Sequence, residues 1–108
     1  MVKTNLKAVV LKHSPLTGRK IRKVAICGGA GFFLLNKAKS SGADAYITAD
    51  IKFHEFFDAE GDLLLVDAGH YETEQFTVDL LADHLRKYFP NFAVQKTEQQ
   101  TNPVQYFK

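Results

Sequence analysis

Short apolar runs alternate along this sequence with longer segments in which apolar residues recur at helical spacing. Three of the runs, VAI, YI and LLLV, have no polar alternation and lie in segments 21–27, 45–48 and 63–66. Continuous apolar character of this kind is typical of strands that are covered on both faces, as in parallel sheets. We therefore predict three buried strands.

Other patterns predict the elements around these strands. Residues 6–11 (LKAVVL) predict a first strand, and residues 92–95 predict a last edge strand. Helices are predicted from residue 32 to a stop at Ser41 and Gly42, over residues 51–59, and over residues 71–89 up to Pro90. The order β-β-α-β-α-β-α-β predicts an α/β protein with a layered, mostly parallel sheet flanked by helices.

Length and composition narrow the class of protein. A chain of 108 residues with 45% hydrophobic and 24% charged residues predicts a single globular domain over residues 1–108, neither disordered nor fibrous. No apolar run approaches the roughly 18 residues of a membrane helix. The single cysteine, Cys27, cannot form an internal disulfide, which agrees with a reducing compartment. These features predict a cytoplasmic protein.

Charge is divided unevenly along the chain. Residues 1–43 hold nine Lys and Arg and no Asp or Glu, whereas residues 44–108 hold five Lys and Arg and twelve acids. A basic region favours phosphates and an acidic one favours cations. The run from Arg19 to Lys23 is interpreted either as a nucleic-acid contact or as a solvated strand edge.

The segments that follow the three buried strands hold the candidate functional groups, because ligands of open α/β sheets bind beyond the carboxyl ends of the strands. His70 and Glu74 are four residues apart at a predicted helix start, so they project from one face and can share zinc, manganese or iron. The alternative is a capping histidine and a glutamate that offsets the helix dipole. Asp67 either orients an imidazole nitrogen or caps the helix.

Two further segments carry weaker signals. Gly28, Gly29 and Gly31 lie in a predicted strand-to-helix loop whose amides could bind an anion such as phosphate. The alternative is a tight turn, and a dinucleotide-binding motif is disfavoured by Leu34 in place of its third small residue. Asp50 and His54, four residues apart, are candidate acid and base groups near a metal. Alternatively, Asp50 is a solvated cap and His54 a core residue.

Three ordered motifs, VAICGGAG, GADAYITADIKFHE and LLLVDAGHYETE, closely resemble the carboxyl-terminal part of the Nif-three-like dinuclear metal-centre proteins. These are also called GTP cyclohydrolase I type 2 homologues. The resemblance implies an α/β fold of two similar halves, a pair of divalent metal ions (zinc, iron or manganese) between them, and a toroidal hexamer. It also implies that His70 and Glu74 are metal ligands, and that this chain corresponds to the second half.

The chain departs from the family pattern in two ways. The remaining family ligands are a His-His-Pro motif and an aspartate of the amino-terminal half, and this sequence has no His-His pair. Ala49 also stands where the family usually has the glycine of a TGD motif. The chain is most simply a carboxyl-terminal fragment of a longer parent protein. We therefore expect an incomplete, empty or weakly occupied metal site, an inactive fragment, and self-association through a face that the missing half would cover.

For the parent protein the resemblance implies a metal-dependent, hydrolase-like activity. Two bridged metal ions would activate a water molecule for attack on a phosphate- or nucleotide-type substrate. Asp50 and His54 would serve as proton-transfer groups, and Gly28, Gly29 and Gly31 would contact an anion. The alternative hypothesis is a non-enzymatic, metal-binding, oligomeric interaction or regulatory protein that uses the basic run for partners or nucleic acid. No membrane partner is expected.

Overall fold

Four strands form a single mixed sheet. They are β1 (Lys12–His13), β2 (Val24–Ala30), β3 (Ala45–Ala49) and β4 (Leu64–Asp67), and they lie in the order β1-β4-β3-β2. Strands β2, β3 and β4 run parallel, whereas β1 pairs antiparallel with β4. The predicted α/β class with a mostly parallel sheet is confirmed, and each of the three apolar runs contributes to a parallel strand.

The chain also contains several short helices. The α-helices are α1 (Val2–Asn5), α2 (Leu35–Ser40), α3 (His70–Glu74) and α4 (Thr77–Tyr88), and 3-10 helices cover Phe32–Leu34 and Phe53–Ala59. The computed structural model describes all residues from 1 to 108, which divide into a first unit, Met1–Thr73, and a second unit, Glu74–Lys108. None of the helices has the length and apolar character needed to cross a bilayer.

Apolar side chains cover both faces of the sheet. On one face, Tyr46 and Leu65 pack in a cluster with Leu35 of α2. On the other face, Ile47 and Val66 form a second cluster. Because successive residues of a strand point to opposite faces, two covered faces require the uninterrupted apolar runs seen in the sequence.

The strand predicted over residues 6–11 is wrong. In its place the chain leaves α1 through Lys7, whose φ is +53°, and only Lys12 and His13 pair with β4. The apolar residues of this region have a different use, because Leu6 and Leu11 pack against the second cluster, on the face formed by Ile47 and Val66. They cover the sheet instead of extending it.

The helix predicted over residues 71–89 is divided in two, α3 and α4, at Gln75 and Phe76. A new hydrogen-bond ladder starts at the carbonyl of Phe76, which accepts from the Leu80 amide at 3.1 Å. The apolar stripe that supported one long helix also starts at Phe76. The helical periodicity therefore belongs to α4 alone.

The edge strand predicted over residues 92–95 is also wrong. This segment lies in the second unit without regular structure, and the Arg86 guanidinium donates to the Val94 carbonyl at 3.1 Å. Nearby, Lys96 forms an ion pair with Asp79 of α4 at 2.5 Å. The backbone of the segment is therefore held by a side chain of α4 and not by a neighbouring strand.

Long-range polar contacts in the first unit join its early basic residues to later acidic ones. Lys12 pairs with Asp67 at 2.9 Å, and Lys39 pairs with Asp62 at 3.1 Å. The Asp44 carboxylate accepts the backbone amides of Arg22 and Lys23 at 2.9 and 2.8 Å. These two hydrogen bonds favour the charged carboxylate, so the pKa of Asp44 is lowered from its ordinary value.

Candidate functional site

The candidate site lies at the carboxyl edge of the three parallel strands. The segments that end or follow them contain Gly28 to Gly31 at the end of β2, Asp50 after β3, and His70 after β4. Because β3 lies between β2 and β4, all three segments come to the same edge of the sheet. This is the place where ligands of open α/β sheets bind.

Asp50 and His70 form a contact between functional side chains at this edge. The Asp50 carboxylate lies 2.5 Å from Nδ1 of His70, and both side chains are about half exposed. Asp50 has a φ of +56°, in the left-handed region that non-glycine residues seldom adopt. Residues in sparsely populated backbone conformations cluster at functional sites.

This pairing differs from the ones that sequence spacing proposed. Spacing placed Asp50 beside His54, and it offered Asp67 as the carboxylate that orients an imidazole. In the structure the orienting carboxylate belongs to Asp50, twenty residues before His70. The contact depends on β3 and β4 being neighbours, so local sequence spacing contains no signal for it.

Asp67 has another role, because its buried carboxylate joins two loops. Its side chain is 4% exposed. Oδ2 accepts the amide of Ile51 and Oδ1 accepts the amide of Gly69, both at 3.1 Å, and Lys12 lies 2.9 Å from Oδ2. Asp67 therefore connects the segment after β3 to the start of α3.

The glycine segment continues β2 and is less loop-like than its sequence indicates. Strand β2 extends through Gly28 and Gly29 to Ala30. The amide of Gly29 donates to Thr73 Oγ1 and that of Gly31 donates to Thr48 Oγ1, each at 2.9 Å. Two amides of the proposed anion loop thus already have protein acceptors, and anion binding by Gly28, Gly29 and Gly31 stays a prediction.

Gly31 lies in a closely packed position. The buried Tyr46 hydroxyl donates to its carbonyl at 2.6 Å, and burial raises the pKa of that phenol. A methyl group on Gly31 would lie 2.5 Å from Thr48 Oγ1 and 2.8 Å from Cys27 Sγ. The tight-turn interpretation of this glycine therefore has direct steric support.

His54 lies apart from the Asp50–His70 pair in its contacts. It is exposed in the 3-10 helix Phe53–Ala59 and makes no hydrogen bond or ion pair with Asp50, whose carboxylate contacts His70. The expectation of a core histidine is therefore wrong. Its role in proton transfer stays a prediction, as does that of Asp50.

His70 and Glu74 are the first and last residues of α3, so the predicted i, i+4 helical spacing is confirmed. No group of three or more His, Cys, Asp or Glu residues in the chain is arranged to hold a metal ion. Zinc sites generally use three or four protein ligands. His70 and Glu74 are only two donors, so a closed site would need further ligands, and metal binding at this pair stays a prediction.

Two residues of the basic run from Arg19 to Lys23 donate side-chain hydrogen bonds within the chain. The Arg19 guanidinium donates to the carbonyls of Gly61, at 3.1 Å, and of Asp62. The Lys23 ammonium donates to the Ser41 carbonyl. Arg19 and Lys23 therefore have partners within the chain, β2 begins only after this run at Val24, and the nucleic-acid interpretation stays a prediction.

An apolar groove opens on the first unit. Its volume is about 450 Å³, and its lining includes Leu16, Phe53 and Phe57. The Phe53 and Phe57 rings meet edge to face with centroids 5.8 Å apart, yet they remain 83% and 71% exposed. Large apolar side chains exposed together are a feature of protein interaction surfaces. Composition and periodicity gave no signal for this groove.

Comparison with known proteins gives consistent matches along the chain. The model of a family described as Duf34/NIF3 (NGG1p interacting factor 3) matches residues 1–103. A "GTP cyclohydrolase 1 type 2 homolog" of Lactococcus lactis is 41% identical over 99 residues, covering 91% of this chain and 37% of the relative. One of Campylobacter jejuni is 31% identical over 107 residues, covering 98% of this chain and 42% of the relative.

Solved structures agree with these matches. Staphylococcus aureus protein SA1388 has a TM-score of 0.80 at 29% identity, over 97% of this chain and 36% of that protein. A Bacillus cereus protein related to NIF3 has a TM-score of 0.76 at 29% identity, over 97% of this chain and 30% of that protein. The chain spans well under half the length of these similar proteins.

Proposed function

Because this chain belongs to the Duf34/NIF3 family, whose model matches residues 1–103, we propose that it provides one side of a divalent metal centre. In this proposal His70 and Glu74 are metal ligands, and the ligands that complete the centre lie outside this chain. The ions would be zinc, iron or manganese. The parent protein would act as a metal-dependent hydrolase on a phosphate- or nucleotide-type substrate.

The contact between Asp50 and His70 is the observation that carries this proposal. Histidines that bind metals almost always donate the N–H of their other ring nitrogen to a carboxylate, a backbone carbonyl or water, which fixes the tautomer and the ring orientation. Nδ1 of His70 already lies 2.5 Å from Asp50 Oδ2, so Nε2 is the nitrogen that would bind a metal. An oriented imidazole and a glutamate one helical turn away supply two suitable donors.

The remaining chemistry is proposed for the completed centre. His70 and Glu74 would hold the metal from the side of this chain, and the metal would supply Lewis-acid activation of water for hydrolysis. Within this chain, His54 is proposed as a proton-transfer group. Asp50 would orient the His70 ring and would also transfer protons near the substrate. Gly28, Gly29 and Gly31 would lie against an anionic part of that substrate.

Zinc titration of the purified chain tests the ligand assignment. We expect weak binding that is lost on dialysis, because two protein donors are fewer than zinc sites use. In ¹⁵N-detected NMR spectra, zinc should shift the His70 ring resonances, and His70→Ala and Glu74→Ala should each abolish binding. His84→Ala is the matched control, because His84 packs on Tyr88 of α4 at 4.6 Å between ring centroids.

Two results would contradict the assignment. Unchanged zinc binding in both His70→Ala and Glu74→Ala would exclude them as ligands. Stoichiometric zinc that survives dialysis would exclude the incomplete-site proposal, since the chain would then hold a closed site of its own.

We also propose that the chain associates with further copies of itself, and that the exposed groove residues Phe53 and Phe57 take part. Burying an exposed phenylalanine stabilises a contact by about 1.5–3 kcal/mol. Phe53→Ser combined with Phe57→Ser should therefore lower the self-association constant by about tenfold or more in analytical ultracentrifugation.

Phe33→Ser is the control for self-association. Phe33 is 78% exposed but does not line the groove, so its replacement should leave association unchanged. A monomeric wild-type chain at all concentrations, or equal weakening by Phe33→Ser, would contradict the proposed surface.

A further inference from the structure

The buried Asp67 carboxylate lies at the end of β4, between the two loops of the candidate site. It accepts two backbone amides, those of Ile51 and Gly69, each at 3.1 Å. Its side chain is 4% exposed. A buried carboxylate has a high cost unless hydrogen bonds or a cation compensate it, and here Lys12 supplies the cation at 2.9 Å.

Each of the two amides belongs to a residue next to one member of the Asp50–His70 pair in the sequence. Ile51 directly follows Asp50, and Gly69 directly precedes His70. A single carboxylate thus fixes the chain one residue away from each partner. A displacement of either loop would move one partner relative to the other, and the contact of 2.5 Å leaves little tolerance for that.

Both loops also contain a residue with a positive φ. Asp50 has a φ of +56° and Gly69 a φ of +91°. A non-glycine residue in the left-handed region persists only when the surrounding structure holds it there. The hydrogen bond from the Ile51 amide to Asp67 is such a restraint, immediately after Asp50.

The cation comes from the neighbouring strand. In the antiparallel pairing of β1 with β4, Lys12 stands directly opposite Asp67. The register of the sheet edge therefore places the ammonium group against the carboxylate. This gives the two-residue strand β1 a role at the candidate site that its length alone would not indicate.

We propose that Asp67, held by Lys12, is a positioning residue that sets the contact between Asp50 and His70. It acts through the two backbone amides and not on a ligand. The inference rests on the proposed function in one respect, since His70 is the proposed metal ligand. The contact between Asp50 and His70 itself needs no metal.

The test measures the tautomer of the His70 ring by ¹⁵N NMR at about pH 8, above the ordinary imidazole pKa of about 6.5. In the wild-type chain Nδ1 should carry the proton and donate to Asp50. Asp67→Asn leaves at most one good acceptor for the two amides, so the Nδ1-protonated population should fall at least twofold. Lys12→Met should cause a smaller fall in the same direction.

Asp44→Asn is the matched control. Asp44 also accepts two backbone amides, those of Arg22 and Lys23, but neither is adjacent to Asp50 or His70. Its replacement should cost stability and leave the His70 tautomer unchanged. An equal tautomer change in Asp44→Asn would overturn the proposal, because the effect would then be general loosening of the fold.

Asp50→Ala, which removes the acceptor of the His70 ring, separates this inference from the proposed function. A change of tautomer in Asp50→Ala but none in Asp67→Asn would overturn the positioning role alone. No change of tautomer in either variant would also overturn the positioning role, because Asp50 would then not set the ring. Zinc binding through His70 and Glu74 is measured independently. Should Asp67→Asn fail to fold by circular dichroism, Lys12→Met decides, and an unchanged tautomer there overturns the proposal.

Discussion

Gly69→Ala is expected to destabilise the first unit by about 2–4 kcal/mol. Gly69 has a φ of +91°, where a side chain adds about 1–2 kcal/mol of strain. A methyl group there would also lie 2.1 Å from Oε2 of Glu72, which is 5% exposed. The buried Glu72 carboxylate must then shift, and because only the end of a flexible side chain moves, we expect this overpacking to add about 1–2 kcal/mol.

Thermal unfolding measures this effect. For a unit of this size, each kcal/mol lowers the melting temperature by about 4–8 °C, so a loss of about 2–4 kcal/mol should lower it by about 8–32 °C. Gly61→Ala is the matched control, because Gly61 has a φ of +71° but no atom within 4 Å of the added methyl group. It should lose only the strain component. Equal losses in the two variants would exclude the steric contact with Glu72 as the cause.

Leu65→Ala is expected to cost about 3–5 kcal/mol. Leu65 is fully buried on β4, in the cluster that contains Tyr46 and Leu35. Removing a leucine side chain from such a core loses its transfer free energy and leaves a cavity. Whole domains are stable by only about 5–15 kcal/mol, so the variant should be close to unfolding at room temperature.

Urea denaturation at low protein concentration measures this loss. The backbone contacts of Leu65 with Ser14, both at 2.9 Å, do not need the leucine side chain, so the comparison isolates packing. Leu16→Ala is the control, because Leu16 is 74% exposed and should change stability by no more than about 0.5 kcal/mol. A loss below about 1.5 kcal/mol for Leu65→Ala would contradict the described core.

The sequence predicted the parallel strands well because burial on both faces leaves a strong local pattern. Tyr46 and Ile47 belong to opposite faces of the sheet, and both had to be apolar. The same reasoning failed at residues 6–11, where apolar residues cover a sheet face without pairing as a strand. Hydrophobicity reports burial, and it does not distinguish these two ways of being buried.

Only the local part of the candidate site could be predicted from the sequence. The spacing of His70 and Glu74 on one helix is a local property, so sequence alone could place it. The partnership of Asp50 with His70, and the link that Asp67 makes between Ile51 and Gly69, depend on the order of strands in the sheet. Sequence spacing does not contain the order of the strands. It therefore paired Asp50 with His54, and it assigned the orienting role to Asp67.

The order of the strands also has a consequence for synthesis. Strand β1 has β4 as its partner, and β4 starts some fifty residues later in the chain. Lys12 and Lys39 likewise find their acidic partners only at Asp67 and Asp62. Residues 1–43 carry nine Lys and Arg and no acidic residue, and they contain only two of the four strands, β1 and β2. During synthesis the sheet can therefore be completed, and these cations paired, only after the acidic segment that carries β4 has left the ribosome.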